Sequence, residues 1–157
     1  MIKSRLKIRR WIYSIFTIVA LIIVADFIIP GTVFLNEIVN IKRQTQQYNN
    51  AAGNYHYSYK VFTRKHNFFI SKDFAETIKE NQKIKYSVSR IFNEVNSYSS
   101  FNPERKGMYP LRIVSGLIIP LIVILMMGIT SRYEKKIVVL AFVLKAALIA
   151  DLIFLIF

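Results

Sequence analysis

Three apolar blocks, each about as long as a bilayer's hydrocarbon is thick, constrain this chain more than any other feature. The first, Trp11 to Pro30, has 20 residues and one charge, Asp26; the second, Ile113 to Thr130, has 18 residues and no charge. The third, Ile137 to Phe157, has 21 residues and two charges, Lys145 and Asp151. At about 1.5 Å of helical rise per residue they reach roughly 30, 27 and 31 Å, against a hydrocarbon core of about 30 Å. A soluble helical core would need polar stripes at helical period, and the blocks have none. The pattern predicts three transmembrane helices.

Composition agrees. Among 157 residues, 22 Lys and Arg stand against 9 Asp and Glu, yet 54% of the chain is hydrophobic. A net charge of +13 on such a chain requires that charge and apolar mass lie in different places. Five basic residues (Lys3, Arg5, Lys7, Arg9 and Arg10) precede the first block, as in a secretory signal. That block exceeds the 7 to 15 residues usual for a signal peptide, and no small-residue cleavage site follows, so it reads as a retained signal anchor. The chain contains no Cys, which excludes disulfides, thiolate metal sites and lipidation of a cysteine, and is compatible with an oxidising exterior.

Basic residues near the helix ends set the orientation. With the N-terminus cytoplasmic, the inner side carries those five residues plus Arg132, Lys135 and Lys136; the outer side carries Lys42, Arg43, Arg105, Lys106 and Arg112. Eight against five favours N-in. The plan is a basic tail (1–10), a first span (11–30), an outer segment (31–112), a second span (113–130), a cytoplasmic turn (131–136) and a third span ending outward (137–157). Trp11 and Tyr13 at one boundary, and Tyr109 at the other, fit aromatic anchoring at the interfaces.

The outer segment is polar and holds seven of the nine tyrosines. Alternation at Tyr55, Tyr57, Tyr59 and Val61, and again at Ile84, Tyr86 and Val88, predicts half-buried strands. Asn67 to Ser71 reads as a return strand after a turn at Thr63 to His66. Ser71 is placed to cap a short helix with Asp73 and Glu76 in its first turn and Phe74 and Ile78 facing inward. A turn at Lys79 to Lys83 releases the chain into the next strand, and a further strand or edge follows Phe92. Val33 to Tyr48 fits a helix or an extended stalk, Asn49 to Asn54 a loop, and Ser97 to Pro110 a linker. The fold class is therefore membrane α plus β: three transmembrane helices and a small antiparallel β-rich outer domain with one short helix.

Alternating aromatics between basic residues also occur in single-strand nucleic-acid binders. On a strand, however, alternating Tyr is the core face of a small domain, and Lys and Arg keep the other face soluble. No nucleic-acid partner is assigned. The surplus of +7 on residues 31–112 suits lipid headgroups or an acidic partner.

Phosphate-binding loops, metalloprotease helices and nucleophile elbows are absent from the sequence. His56 and His66 make at most two ligands, too few for a structural metal site, and read as surface residues. No catalysis, cofactor, metal or small-molecule ligand is expected. The sharper signal is charge inside the spans, costing about 2.5 to 3.5 kcal/mol per residue at mid-membrane. By helical rise, Asp26 and Asp151 share a depth roughly 21 to 22 Å along their spans. Arg112 enters the second span from that outer side, so an Asp26, Arg112 and Asp151 cluster is expected. Lys145 sits deeper in the membrane, about 12 Å along its span by the same rise, and leans cytoplasmically. Ala146, Ala147 and Ala150 offer a smooth surface for another helix, while Gly116 and Pro120 mark close packing and a kink in the second span.

These features point to a non-catalytic accessory or scaffold subunit of an envelope assembly, binding other membrane subunits or a second copy through its outer domain and polar span faces. Alternatives are a small transporter or ion-coupled channel subunit using the intramembrane charges, and an outer sensor acting through a partner.

Overall fold

The computed structural model describes residues 2–47, 55–101, 104–132 and 138–156, and the chain divides into two compact units. Met1–Ile29 and Ile113–Phe157 form a helical unit, and Pro30–Arg112 a sheet unit. In chain order the elements are α1 (Ile2–Ile28), β1 (Thr32–Gln47), β2 (Tyr55–Thr63), β3 (Asn67–Ile70), α2 (Lys72–Ala75), β4 (Lys83–Val88), β5 (Val95–Phe101) and β6 (Glu104–Gly107). They are followed by α3 (Pro110–Ile113), a π turn (Val114–Ile118), α4 (Ile119–Arg132) and α5 (Val138–Ile156).

Among the described residues, three stretches are long and apolar enough to cross a membrane: Ile8–Ile28, Pro110–Thr130 and Val139–Ile156. The first helix also takes in the basic residues ahead of its apolar block, and helical structure begins at Pro110, three residues before the second block. In the helical unit α1 packs on α4, α4 packs on α5, and α1 makes a smaller contact with α5. Gly116, in the π turn, lets this stretch approach α1 closely, because a Cβ there would lie 2.5 Å from Cδ2 of Phe27. Pro120 lacks the N–H that would bond the Gly116 carbonyl, and its ring would collide with that carbonyl in a regular helix. The chain resolves the conflict with the π turn at Val114–Ile118.

The sheet is a six-stranded antiparallel half-barrel of order β3-β2-β1-β4-β5-β6. Its axis is β1, where a helix or stalk was expected. The N-terminal part of β1 pairs with β4 (Leu35 opposite Lys85), and the C-terminal part with β2 (Ile41 opposite Val61). Pairing on both sides along so long a strand settles an apolar pattern that by itself fits either structure. The expected linker is likewise corrected: β5 covers Val95–Phe101 and β6 Glu104–Gly107, leaving only Met108 and Tyr109 before the helix. The loop expected at Asn49 to Asn54 lies outside the described residues.

The strands read at Tyr55, Asn67 and Ile84 are β2, β3 and β4. The short helix forms as α2 with Ser71 at its N-cap, but the Ser71 side chain makes no capping bond. Instead the Ser71 backbone N–H donates to Tyr98 Oη at 3.0 Å. Phe74 and Ile78 do face inward, joining Ile38, Val61, Phe68, Ile84, Tyr86 and Tyr98 in a core on one face of the sheet. The turn before β4 uses Asn81 in the left-handed region, φ 66°. At the head of β1, a Cβ on Gly31 would stand 2.0 Å from the Val88 carbonyl oxygen, so only glycine fits.

Candidate functional site

The polar residues of the spans are where the chain departs most from what its surroundings favour. Asp26 is 2% exposed and Asp151 6%, both within the helical unit. On α5 the packed positions are Ala141, Leu148, Asp151 and Leu155, a seven-residue repeat on one face. The alanine surface lies to the side of this seam: Ala146 and Ala150 are exposed and Ala147 is half-buried. Among the described residues no helix covers it fully.

Lys145 is half-buried and settles over aromatic rings. Its Nζ stands 5.4 Å from the ring centroid of Tyr13 and 5.9 Å from that of Phe16. The Arg9 guanidinium lies 6.0 Å from the same Tyr13 ring. A cation over a ring face in a desolvated place gains about 2 kcal/mol, which offsets much of the cost of the span charge. Tyr13 is therefore a buried seat for two cations; Trp11, by contrast, is well exposed. Below it, Thr17 Oγ1 donates to the Tyr13 carbonyl at 2.9 Å. Between α1 and α4 a cleft of about 810 Å³ remains open, lined by Arg10, Ser14, Thr17, Ile124, Met127 and Gly128. A side chain added at Gly128 would meet no atom within 4 Å.

Arg112 belongs to the sheet unit, where it is 3% exposed and its Nε donates to Asn96 Oδ1 at 2.8 Å. Asn96 is itself buried on β5. Tyr109, expected at the interface, stacks on Phe69 with centroids 5.5 Å apart.

A second polar cluster was not visible in the sequence. Tyr86 Oη, buried in the sheet core, accepts from Asn36 Nδ2 at 2.6 Å and lies 3.2 Å from Thr63 Oγ1 and 3.0 Å from His66 Nδ1. His66 is thus half-buried and hydrogen-bonded, not a plain surface residue, and its ring meets Phe34 at 4.8 Å. Its four members come from β1, β2, the β2–β3 turn and β4, so only the strand order brings them together. His56 lies near the start of β2 and His66 just beyond its end, so about 23 Å of strand separates the backbone of His56 from the turn that holds His66. Among the described residues no three His, Cys, Asp or Glu are grouped to hold a metal ion.

Tyr86 and its partners tie β1, β2, the β2–β3 turn and β4 together through one hydroxyl. The exposed alanine surface and the open α1–α4 cleft are the parts of the helical unit that its own side chains leave unfilled. In comparison with known proteins, no family model, no curated protein and no solved structure matches this chain.

Proposed function

We propose that the chain is a multi-pass protein of the cell membrane, N-terminus cytoplasmic and sheet unit outside, acting as a non-catalytic accessory or scaffold subunit. It binds other membrane subunits or a second copy of itself. The observation that carries this reading is the unfilled surface of apolar helices: exposed Ala146 and Ala150, and the α1–α4 cleft ending at Gly128. Small residues let a neighbouring helix approach closely, and in lipid such packing drives helix association.

The test is purification in mild detergent with identification of what co-purifies. Wild type is expected to run as a complex, and Gly128→Leu with Ala150→Leu to release the partner without loss of expression, since both positions have room. A lone monomer in wild type sinks the proposal. Orientation is tested separately by introducing a cysteine at Lys79, exposed in the sheet unit. Intact spheroplasts should label it with an impermeant thiol reagent; labelling only in inverted vesicles reverses the topology.

A further inference from the structure

The outward face of the sheet, opposite the core, is banded. Cross-strand register sets Val33 beside Ser87 and Ser87 beside Ser97, with Met108 continuing the row past β6. The next row is Leu35, Lys85, Ser99 and Lys106, and the third Glu37, Lys83, Phe101 and Glu104. Rows on one face of a strand are about 7 Å apart. Along the chain, both connections to the apolar helices leave from the first row: Val33 follows Pro30 by three residues and Met108 precedes Pro110 by two. The order away from those connections is apolar and hydroxyl, then cationic, then mixed, with Glu37 and Glu104 beside Lys83 and Phe101.

A groove of about 450 Å³ lies across the first two rows, lined by Val33, Lys85, Ser87, Ser99, Lys106 and Met108 among others, with no carboxylate in its wall. Elsewhere on the sheet, Lys42 and Lys60 lie over Phe62, Arg43 over Tyr57 and Lys65 over Phe34, while Lys72 pairs with Glu76 and Arg64 with Glu37. The ammonium groups of Lys85 and Lys106 and the hydroxyls of Ser87, Ser97 and Ser99 have no such partner among the described residues. Lys85 and Lys106 flank Ser99 on the two neighbouring strands, so their backbones are roughly 10 Å apart, and flexible stems let both reach one anion. Val33 and Met108, 57% and 49% exposed, give the same groove an apolar wall.

We infer that this groove seats the phosphate of an anionic phospholipid headgroup. Lys85 and Lys106 bracket the phosphate, the serine hydroxyls donate to it, and Val33 and Met108 cover the glycerol and first methylenes. Free phosphate would use the lysines but leave the apolar wall bare. The inference rests on the membrane reading above and adds a ligand to it.

The test uses the full chain in nonionic detergent, with its unfolding midpoint followed during titration by dihexanoylphosphatidylglycerol, dihexanoylphosphatidylcholine or inorganic phosphate. Only the first should raise the midpoint. At about fivefold in affinity for each lysine beside an anionic surface, Lys85→Gln with Lys106→Gln should require roughly thirtyfold more lipid for the same rise. Lys79→Gln with Arg90→Gln, which removes equal charge away from the groove, should behave as wild type. An undiminished response in the groove variant, an equal response to phosphate, or no rise in wild type overturns the inference. Alkaline carbonate extraction of native membranes separates the two readings. If the protein stays in the pellet and shows no lipid response, the headgroup seat alone fails; release to the supernatant removes the membrane reading itself.

Discussion

The two units distribute polarity in opposite ways. In the sheet unit Val61 and Ile84 are wholly buried while Lys85 and Lys106 face outward; in the helical unit Asp26 and Asp151 are buried while Leu125 and Phe142 are 61% and 68% exposed. One rule produces both arrangements, because a surface is stable when it resembles its surroundings. The sheet is built for water and the helices for an apolar medium. Charged side chains in the helical unit are consequently interior features that need partners such as the rings under Lys145.

The contrast can be broken by substitution. The largest effect is expected at Tyr98, 2% exposed, where it packs on Phe74 at 4.5 Å and receives the Ser71 N–H. Tyr98→Ala should cost about 3–5 kcal/mol, read as lost hydrogen-exchange protection across β4 and β5 with α4 and α5 unaffected; equal loss in the helices would merge the units. Next, arginine at exposed apolar positions tests the media directly. Leu125→Arg should cost about 2.5–3.5 kcal/mol in a bilayer, whereas Val39→Arg, at a site 55% exposed on the sheet, should stay within about 0.5 kcal/mol. Matching costs in nanodisc unfolding would end the contrast. Gly116→Ala should destabilise the packing of the π turn on α1 by about 1–3 kcal/mol through collision with Phe27, and Phe27→Leu in the same chain should recover part of the loss. Smallest is the ring seat: a double-mutant cycle of Tyr13→Leu and Lys145→Met should give a coupling of about 0.5–2 kcal/mol, and zero coupling would leave Lys145 held by its stem alone.

Where local pattern and final environment agree, the sequence is legible. The apolar blocks, the alternation of β4, and the inward Phe74 and Ile78 all fall in that class; on β2 only Tyr59 and Val61 turn to the core, while Tyr57 is exposed under Arg43. The long first strand resists because its alternation slips: Phe34, Asn36 and Ile38 point inward, a register shift falls between Ile38 and Asn40, and Ile41 is the next inward residue. One extra residue at a bulge breaks period two and imitates a helical face. β5 resists for another reason, since its buried positions include Asn96 and Ser100 beside Tyr98 and offer little hydrophobic signal. Of the candidate site, Asp26, Lys145 and Asp151 stand out as charges in apolar runs. Tyr13 and the Tyr86 cluster do not, because they depend on neighbours from other elements.

The dual pairing of β1 has a consequence for the order of assembly. β2 reaches it through a short connection and β3 then pairs on β2, whereas β4 must bring Lys85 back to Leu35 after that half of the sheet has been made. Short loops close first, since closure entropy rises with the length of chain enclosed. As the chain emerges from its N-terminus, β1 to β3 can therefore assemble while the edge awaiting β4 stays open. That open edge, Thr32 to Glu37, begins four residues after α1 ends. Until β4 arrives, the unpaired backbone nearest the first apolar helix is the nascent chain's most vulnerable surface for strand addition by another chain.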